Sequence, residues 1–234
     1  MGKGGSAVDD RAQQDRKETL QVGLEEMGLV LGVRQQALLL QYLDLLIKWN
    51  KAFNLSGVKD PGSMLQRHLL DSLTLMPWMT GQHILDVGTG PGLPGIPLAI
   101  AFPDKHFSLL DSNGKKTRFV FQARLELELA NVTVHNTRIE LYRNEQPVDI
   151  IVSRAFSTLA DLVAMSRHLL TTNANGLPTR IVAMKGIYPA DEIAALPADI
   201  RVTRAERVQV PGSEVERHLI ELTPEASQNK KGLE

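Results

Sequence analysis

The first part of the chain has the spacing of hydrophobic residues that is typical of amphipathic helices. Apolar side chains recur every three or four positions, with polar residues between them, at Leu39, Tyr42, Leu43, Leu46, Trp49 and Phe53. A stripe of this kind predicts a helix that covers a hydrophobic core with one face. Residues 57–62 break the pattern with glycine and proline, and a second helix is predicted at 63–76.

After Gly81 short apolar segments alternate with longer helical ones. Strands are predicted at 83–87, 107–110, 132–135, 148–152 and 180–184, and helices at 96–102, 114–130 and 158–170. This alternation is typical of an α/β fold whose mainly parallel sheet is covered on both faces. Residues 208–210 and 218–222 flank Pro211 and Gly212 without a helix, which predicts an antiparallel pair at the C-terminal edge of the sheet.

The organisation that follows is one large domain with a helical extension. Residues 1–18 are expected to be disordered or added residues, 19–80 to form N-terminal helices packed on the core, 81–224 to form the α/β domain and 225–234 to form a tail.

The 234 residues are 43% hydrophobic with a formal net charge of −1, so any nucleic-acid contact must come from local patches. No stretch is apolar enough to span a membrane or to act as a signal peptide.

The chain contains no cysteine. This excludes disulfides, cysteine-ligated zinc and a thiol nucleophile, and it is compatible with a reducing, cytoplasmic location, which we expect.

The most informative segment runs from Asp86 to Gly95, DVGTGPGLPG, between a predicted strand and a predicted helix. Glycines in this position let the backbone approach a ligand closely. A dinucleotide turn would need glycine at position 93, which is Leu93 here. The spacing D-x-G-x-G-x-G instead favours S-adenosyl-L-methionine (SAM), and Asp111 at the end of the next strand can accept both ribose hydroxyls. We therefore expect a SAM site that includes Asp86, Gly88, Gly90 and Asp111.

At this point the sequence resembles a known family. The strings NLSGVKDP, RHLLDSL, DVGTGPGLPGIPLAIAFP, LLDSNGKKTRF, VSRAF, AMKG and ERHL occur in order over roughly residues 20–222 and resemble the RsmG (GidB) ribosomal RNA methyltransferases. The resemblance implies a Rossmann-like class I SAM-dependent methyltransferase, with the methyltransferase domain at 81–224. It implies as substrate N7 of guanine 527, in the 530 loop of the 16S rRNA of the small ribosomal subunit.

The resemblance also implies individual site residues. Gly88 and Leu93 match the family's SAM-binding positions in the glycine turn, and Ile139 and Glu140 match the pair beside the adenine. Arg154 matches the arginine after the fourth strand, where we expect it to contact the cofactor and to have a positioning role in catalysis.

The chemistry of the predicted site agrees with this family. Ser153-Arg154-Ala155-Phe156 stands where enzymes that methylate exocyclic amines usually have Asn/Asp-Pro-Pro-aromatic, and cytosine-C5 enzymes need the missing cysteine. Guanine N7 already carries a lone pair and no proton, so alignment with the sulfonium methyl is the main requirement. Two alternatives stay open: methylation of another RNA or a small molecule, and a catalytically silent RNA-binding module of ribosome assembly.

Several polar residues have two interpretations each. His68 and Asp71 are three apart on a predicted helix and fit either a metal pair or, as we expect, a hydrogen-bond network between helix and turn. Lys185 is either a solvated lysine or a contact to RNA. Lys115, Lys116 and Arg118 lie in the first turn of their predicted helix, where cations are disfavoured, so we expect an RNA-binding patch there. We expect a monomer with no metal and no membrane partner.

Overall fold

The computed structural model describes residues 4–154, 157–173 and 175–225, and for residues 4–10 it describes the backbone alone. The helices are α1 Gly4–Glu26, α2 Val33–Phe53, α3 Pro61–Met64, α4 Asp71–Leu73, α5 Gly95–Ala101, α6 Gly114–Glu126, α7 Leu159–Ser166 and α8 Ala190–Ala194. A π-helical stretch, Leu65–Leu70, joins α3 to α4. The strands are β1 His83–Val87, β2 His106–Asp111, β3 Val132–Asn136, β4 Ile150–Arg154, β5 Arg180–Lys185, β6 Ile200–Val208 and β7 Arg217–Pro224.

The strands form one seven-stranded sheet in the order β3-β2-β1-β4-β5-β7-β6. Neighbours from β3 to β5 are parallel, whereas β7 pairs antiparallel with both β5 and β6. The predicted fold class, a mainly parallel sheet with an antiparallel C-terminal edge, is confirmed. Because β1 lies between β2 and β4, the loops after these three strands meet at one edge of the sheet, where ligands bind in open α/β sheets.

Both faces of the sheet are buried. Ile84 and Ile150 belong to a hydrophobic cluster with α1, α2, α5 and α6, while Leu85 and Ile151 belong to a second cluster with α7. Successive strand residues point to opposite faces, so the continuous apolar runs in β1 and β4 are what a sheet covered on both sides requires.

The N-terminal helices pack on the first of these clusters. Tyr42 and Leu46 on α2 are fully buried, as the periodicity predicts. Residues 4–18, expected to be disordered or added, instead belong to α1. Arg16 on α1 forms an ion pair with Asp44 on α2, and Leu20 is fully buried, so tertiary contacts hold a helix that has little apolar character of its own.

Several element boundaries differ from the prediction, among them those of the second predicted helix and of the C-terminal edge strand. Helical structure begins at Pro61, where the Asp60 side chain accepts a hydrogen bond from Ser63 N (2.7 Å), and it ends at Leu73. The edge strand β6 spans Ile200–Val208 instead of 208–210, and Val208 pairs with Arg217. Most residues of β6 are polar and exposed because it is an edge strand, so it has no hydrophobic signal.

Among the described helices, none has both the length and the apolar character needed to cross a membrane. Ala155 and Phe156, and residues 226–234 of the predicted tail, lie outside the described residues.

Candidate cofactor pocket and adjoining cleft

The glycine turn between β1 and α5 is held from both ends by Asp86. This side chain is fully buried, and its Oδ2 accepts hydrogen bonds from Thr89 Oγ1 (2.6 Å) and Gly95 N (2.8 Å). The N–H groups of Gly88 and Thr89 donate to the carbonyl of Leu110 at 2.9 and 3.0 Å, which ties the turn to the end of β2. The turn is therefore a fixed structure between two strands.

The carboxyl group of Asp86 is kept in an unfavourable environment for a charge. Burial raises the pKa of Asp86 from 3.8 to about 7, although its hydrogen bonds and the positive charge of Arg154 act in the opposite direction. Its Oδ1 is buried and has no hydrogen-bond partner among the described residues. A positive charge bound nearby would therefore stabilise the ionised form of this carboxyl group.

Two glycines of the turn have different functions. Gly88 has φ +69°, and a Cβ built on it meets nothing within 4 Å, so it faces open space. A Cβ on Gly95 would lie 2.1 Å from Leu109 Cδ2 and 2.7 Å from Asp86 Oδ2. Gly95 is thus required for the packing of α5 on the sheet, whereas Gly88 leaves room for a ligand.

Asp111 lies at the end of β2, beside the turn. Its Oδ2 accepts a hydrogen bond from Gly90 N (2.9 Å) and its Oδ1 accepts one from Asn113 N (2.8 Å). Each carboxylate oxygen can accept more than one hydrogen bond. The carboxylate therefore retains acceptor capacity for a ligand.

A cavity of about 270 Å³ lies next to Gly88 and Asp111. Four residues predicted for the cofactor site line it together: Gly88, Asp111, Ile139 and Glu140. The structure places the other four elsewhere. Gly90 donates its N–H to Asp111. Asp86 and Leu93 are buried, and Arg154 lines a separate cleft.

This cleft, of about 640 Å³, opens on the same edge of the sheet, beyond the ends of β4 and β5. At its wall Asp71, which is 1% exposed, accepts hydrogen bonds from two arginines. Arg217 Nε and Nη2 donate to Asp71 Oδ1 (2.6 Å) and Oδ2 (3.1 Å), and Arg154 Nη1 donates to Oδ2 (3.3 Å). Arg154 Nη1 also donates to the carbonyl of Arg67 (3.0 Å).

His68, which also lines the cleft, forms a hydrogen-bond network there. Its Nε2 lies 2.7 Å from Ser56 Oγ and its Nδ1 lies 3.0 Å from the carbonyl of Arg67. Nδ1 must carry the proton to donate to a carbonyl, so Nε2 accepts from Ser56. Burial, followed by the charge of Arg154, lowers the pKa of His68 from 6.5 to about 4, so the ring is neutral.

The predicted network between helix and turn is therefore present at His68. Within the described ranges, no group of three or more His, Cys, Asp or Glu side chains could hold a metal ion.

The candidate RNA contacts fall in two places. Lys185 lines the cleft, but its Nζ forms an ion pair with Glu192 (2.8 Å) and also lies 3.3 Å from the carbonyl of Ser157. It is thus not a solvated lysine. Lys115, Lys116 and Arg118 lie in the first turns of α6, and this helix begins shortly after Asp111 and Ser112, which line the cavity.

Three residues of the site were not predicted from the sequence. Gly95 was quoted within the glycine turn without a function, and Arg217 stood in the ERHL string without one. Tyr42, interpreted only as a core residue of α2, is fully buried and donates from its hydroxyl to the carbonyl of Pro91 (2.7 Å). No spacing in the sequence connects Tyr42 with Pro91 or Arg217 with Asp71, since each pair is far apart along the chain.

The chain is similar in sequence to known proteins. The model of the GidB family, described as rRNA small subunit methyltransferase G, matches residues 35–220. The ribosomal RNA small subunit methyltransferase G of Ectopseudomonas mendocina is 53% identical over 210 residues, which cover 89% of this chain and 95% of that protein. The protein of the same name from Pseudomonas aeruginosa is 52% identical over 208 residues, which cover 88% of this chain and 95% of that one.

Solved structures show the same fold at low identity. A SAM-bound magnesium protoporphyrin IX methyltransferase from Synechocystis aligns with a TM-score of 0.53 at 14% identity, covering 78% of this chain and 97% of that one. A SAM-dependent methyltransferase from Aquifex aeolicus also aligns with a TM-score of 0.53, at 19% identity, covering 72% of this chain and 96% of that one.

Proposed function

The chain belongs to the GidB family, the rRNA small subunit methyltransferases G, and from this premise we propose that it transfers a methyl group from SAM to N7 of guanine 527 of 16S rRNA. The observation that carries the proposal is the position of the cavity of Gly88 and Asp111 at the same edge of the sheet as the cationic cleft of Arg154 and Arg217. One site suits an adenosine and the other an RNA nucleotide.

The residues of the cavity fit SAM. Asp111 retains acceptor capacity for the two ribose hydroxyls, and Gly88 leaves space for the ligand to approach the backbone. Ile139 and Glu140 also line the cavity, and the resemblance to the family implies that the adenine ring lies beside them. Asp86 does not line the cavity, but a positively charged ligand bound near the turn would favour its ionised form. Bound SAM supplies an electrophilic methyl group on a sulfonium.

The residues of the cleft fit a reaction without a general base. Guanine N7 presents an in-plane lone pair and has no proton to lose, so the protein must chiefly align the base with the methyl group. The neutral ring of His68 has both nitrogens in hydrogen bonds, and Lys185 is in an ion pair. Arg154, with its planar guanidinium fixed by Asp71 and the carbonyl of Arg67, is suited to orient a base edge or a phosphate.

The proposal is tested by methyl transfer to isolated subunits. Purified protein and tritiated SAM are incubated with small ribosomal subunits, and separately with naked 16S rRNA, from a strain that lacks the modification. We expect label at a single 16S guanine, and chain cleavage by borohydride and aniline at that position would identify N7. Label at another nucleotide or in another RNA would favour the first alternative. SAM binding without transfer would favour the silent assembly module.

A further inference from the structure

Asp71 connects three parts of the chain at the wall of the cleft. It begins α4 in the N-terminal extension, whereas its partners Arg154 and Arg217 lie at the end of β4 and the start of β7. Arg217 approaches it with two parallel N–H groups, and Arg154 approaches the same Oδ2 from another strand. A two-pronged arginine–carboxylate contact fixes the guanidinium plane as well as its distance.

The local charge is not balanced. One buried carboxylate faces two guanidiniums whose side chains are only 17% and 18% exposed, so this cluster carries one excess positive charge, and Arg67, which also lines the cleft, adds another. Lys185 adds no further net charge to the cleft, because Glu192 compensates it. Arg154 and Arg217 each use two of their five N–H groups in the contacts above, and the other three have no partner among the described residues. The cleft therefore suits an anion with several acceptor oxygens.

The helix geometry brings Asp71 to this place. The π-helical stretch Leu65–Leu70 ends at Asp71, and the same stretch offers the carbonyl of Arg67 to Arg154. Isolated π-turns are uncommon and often occur at functional sites. This segment thus contacts Arg154 twice, through a backbone carbonyl and through a carboxylate.

We propose that Asp71 is a positioning residue that holds Arg154 and Arg217 in the orientation in which they bind an RNA phosphodiester next to the methylated base. This inference rests on the proposed function. In this arrangement the two guanidiniums donate to the phosphate oxygens, and Asp71 itself touches no substrate. Without Asp71 the two cations would still attract RNA, but they would hold it in many orientations.

The decisive variant is Asp71→Asn, which keeps the shape of the side chain and removes its charge. We expect single-turnover methyl transfer at saturating SAM to fall about 10- to 100-fold, because misplacement of the reacting groups has effects of this size. Binding of small subunits at low salt should not weaken, since a negative charge is removed from the cleft. SAM affinity should stay within about twofold, because Asp71 does not line the cavity of Gly88 and Asp111.

The matched control is Asp199→Asn. Asp199 also forms a two-pronged ion pair, with Arg167, but this pair is largely exposed and its residues do not line the cleft. We expect it to leave methyl transfer unchanged. An unchanged single-turnover rate in folded Asp71→Asn, or a loss explained entirely by weaker subunit binding, would overturn the proposal.

Two further measurements keep the test decisive. If Asp71→Asn does not fold, Arg217→Lys replaces it, because lysine keeps the charge and loses the two-pronged contact. The same rate criterion applies to this variant.

If wild-type protein transfers no label to 16S rRNA, the proposed function fails by itself. Nitrogen-15 NMR of the arginine Nε–H groups, with and without an RNA hairpin of the 530 loop, then tests positioning. Equally well-ordered signals of Arg154 and Arg217 in wild type and Asp71→Asn would overturn it.

Discussion

The backbone N–H of Gly90 donates to Asp111 Oδ2 over 2.9 Å, so the acid that ends β2 also fixes the glycine turn that follows β1. The other oxygen of the same carboxylate accepts from Asn113 N, at the N-terminus of α6. Asp111 thus connects the glycine turn after β1 with the start of α6 through contacts within the protein alone. Its proposed contact with the ribose would therefore come from a carboxylate that is already held in place, which lowers the entropy cost of binding.

The first prediction concerns Asp111→Ala. We expect SAM binding to weaken by about 1.5–3 kcal/mol, the range for hydrogen bonds to a charged group, or roughly 10- to 100-fold in the dissociation constant. Isothermal titration calorimetry measures it. The control is Asp104→Ala, an exposed acid in the loop before β2, at the opposite edge of the sheet. Equal affinity of folded Asp111→Ala and wild type would refute the assignment of the ribose site.

The second prediction concerns Gly88 and distinguishes two effects of adding a side chain there: blocking the space for the ligand and straining the backbone at a positive φ. Because Gly88 lines the cavity and has open space at its Cβ position, we expect Gly88→Val to fold and to lose detectable SAM binding. Gly28→Val is a matched control, since Gly28 has a similar φ of +64° and open space but lies away from the cavity. Both variants should lose similar stability from the positive φ, measured by thermal unfolding. SAM binding by Gly88→Val at wild-type affinity would show that the ligand does not approach this glycine.

Much of the fold could be predicted because the central strands are buried on both faces. The continuous apolar runs at β1 and β4 predict strands that are buried on both faces. The Asp86–Gly95 turn between a strand and a helix indicates the edge of the sheet where ligands bind. The boundaries of β6 could not be predicted, since most of its residues are exposed and polar.

In the candidate site, only the residues that belong to a local sequence pattern could be predicted from that pattern. Gly88 directly follows β1 and Asp111 ends the neighbouring strand β2, and the structure places both at one cavity. The contact of Asp71 with Arg217 joins residues 146 positions apart, and no periodicity or spacing encodes such a pairing. The π-helical stretch that precedes Asp71 also lacks a sequence pattern that would distinguish it from an ordinary helix.

The third prediction concerns Arg154→Ala. Arg154 lines the cleft and contacts Asp71 and the carbonyl of Arg67, and it does not line the cavity of Gly88 and Asp111. We therefore expect the single-turnover rate to fall by about tenfold or more, with a smaller change in SAM affinity. Rapid-quench kinetics and calorimetry give the two values. A tenfold loss of affinity with an unchanged rate would instead make Arg154 a cofactor anchor.

The fourth prediction concerns pH, where two buried groups act in opposite directions. The pKa of His68 is lowered from 6.5 to about 4, so its contribution to stability is present above pH 6.5 and is lost as the pH falls towards 4. The pKa of Asp86 is raised from 3.8 to about 7, so its contribution is present below pH 3.8 and is lost as the pH rises through 7. In wild type the two effects partly cancel in the shared range.

Single variants should reveal each contribution. From pH 4 to 6.5 we expect the free energy of unfolding of wild type to rise relative to His68→Gln, by on the order of 3 kcal/mol. Relative to Asp86→Asn it should fall as the pH rises from 4 to 7. Urea unfolding at a series of pH values measures both differences. If the curve of either variant runs parallel to that of wild type, the corresponding group does not titrate as its burial implies.

The last prediction concerns the cations at the start of α6. Lys115 and Arg118 are exposed and Lys116 is half-buried, and all three lie where the positive end of the helix dipole disfavours cations. Asn113 caps this end by accepting from the N–H groups of Lys115 and Lys116, so the cations are not needed for capping. Because they follow closely after Asp111, which lines the cavity, we expect an anionic RNA backbone to contact them.

We expect the triple change of Lys115, Lys116 and Arg118 to Gln to weaken binding of the small subunit and to reduce its dependence on salt, because fewer counterions are released. Helix stability should stay the same or rise slightly, and SAM affinity should not change. The control removes three exposed cations of α1 and α2 in the same way, at Arg11, Lys17 and Arg34. A salt titration of subunit binding and methyl transfer compares the two. If the α6 variant matches the control at every salt concentration, these three cations form an ordinary solvated surface and the RNA binds elsewhere.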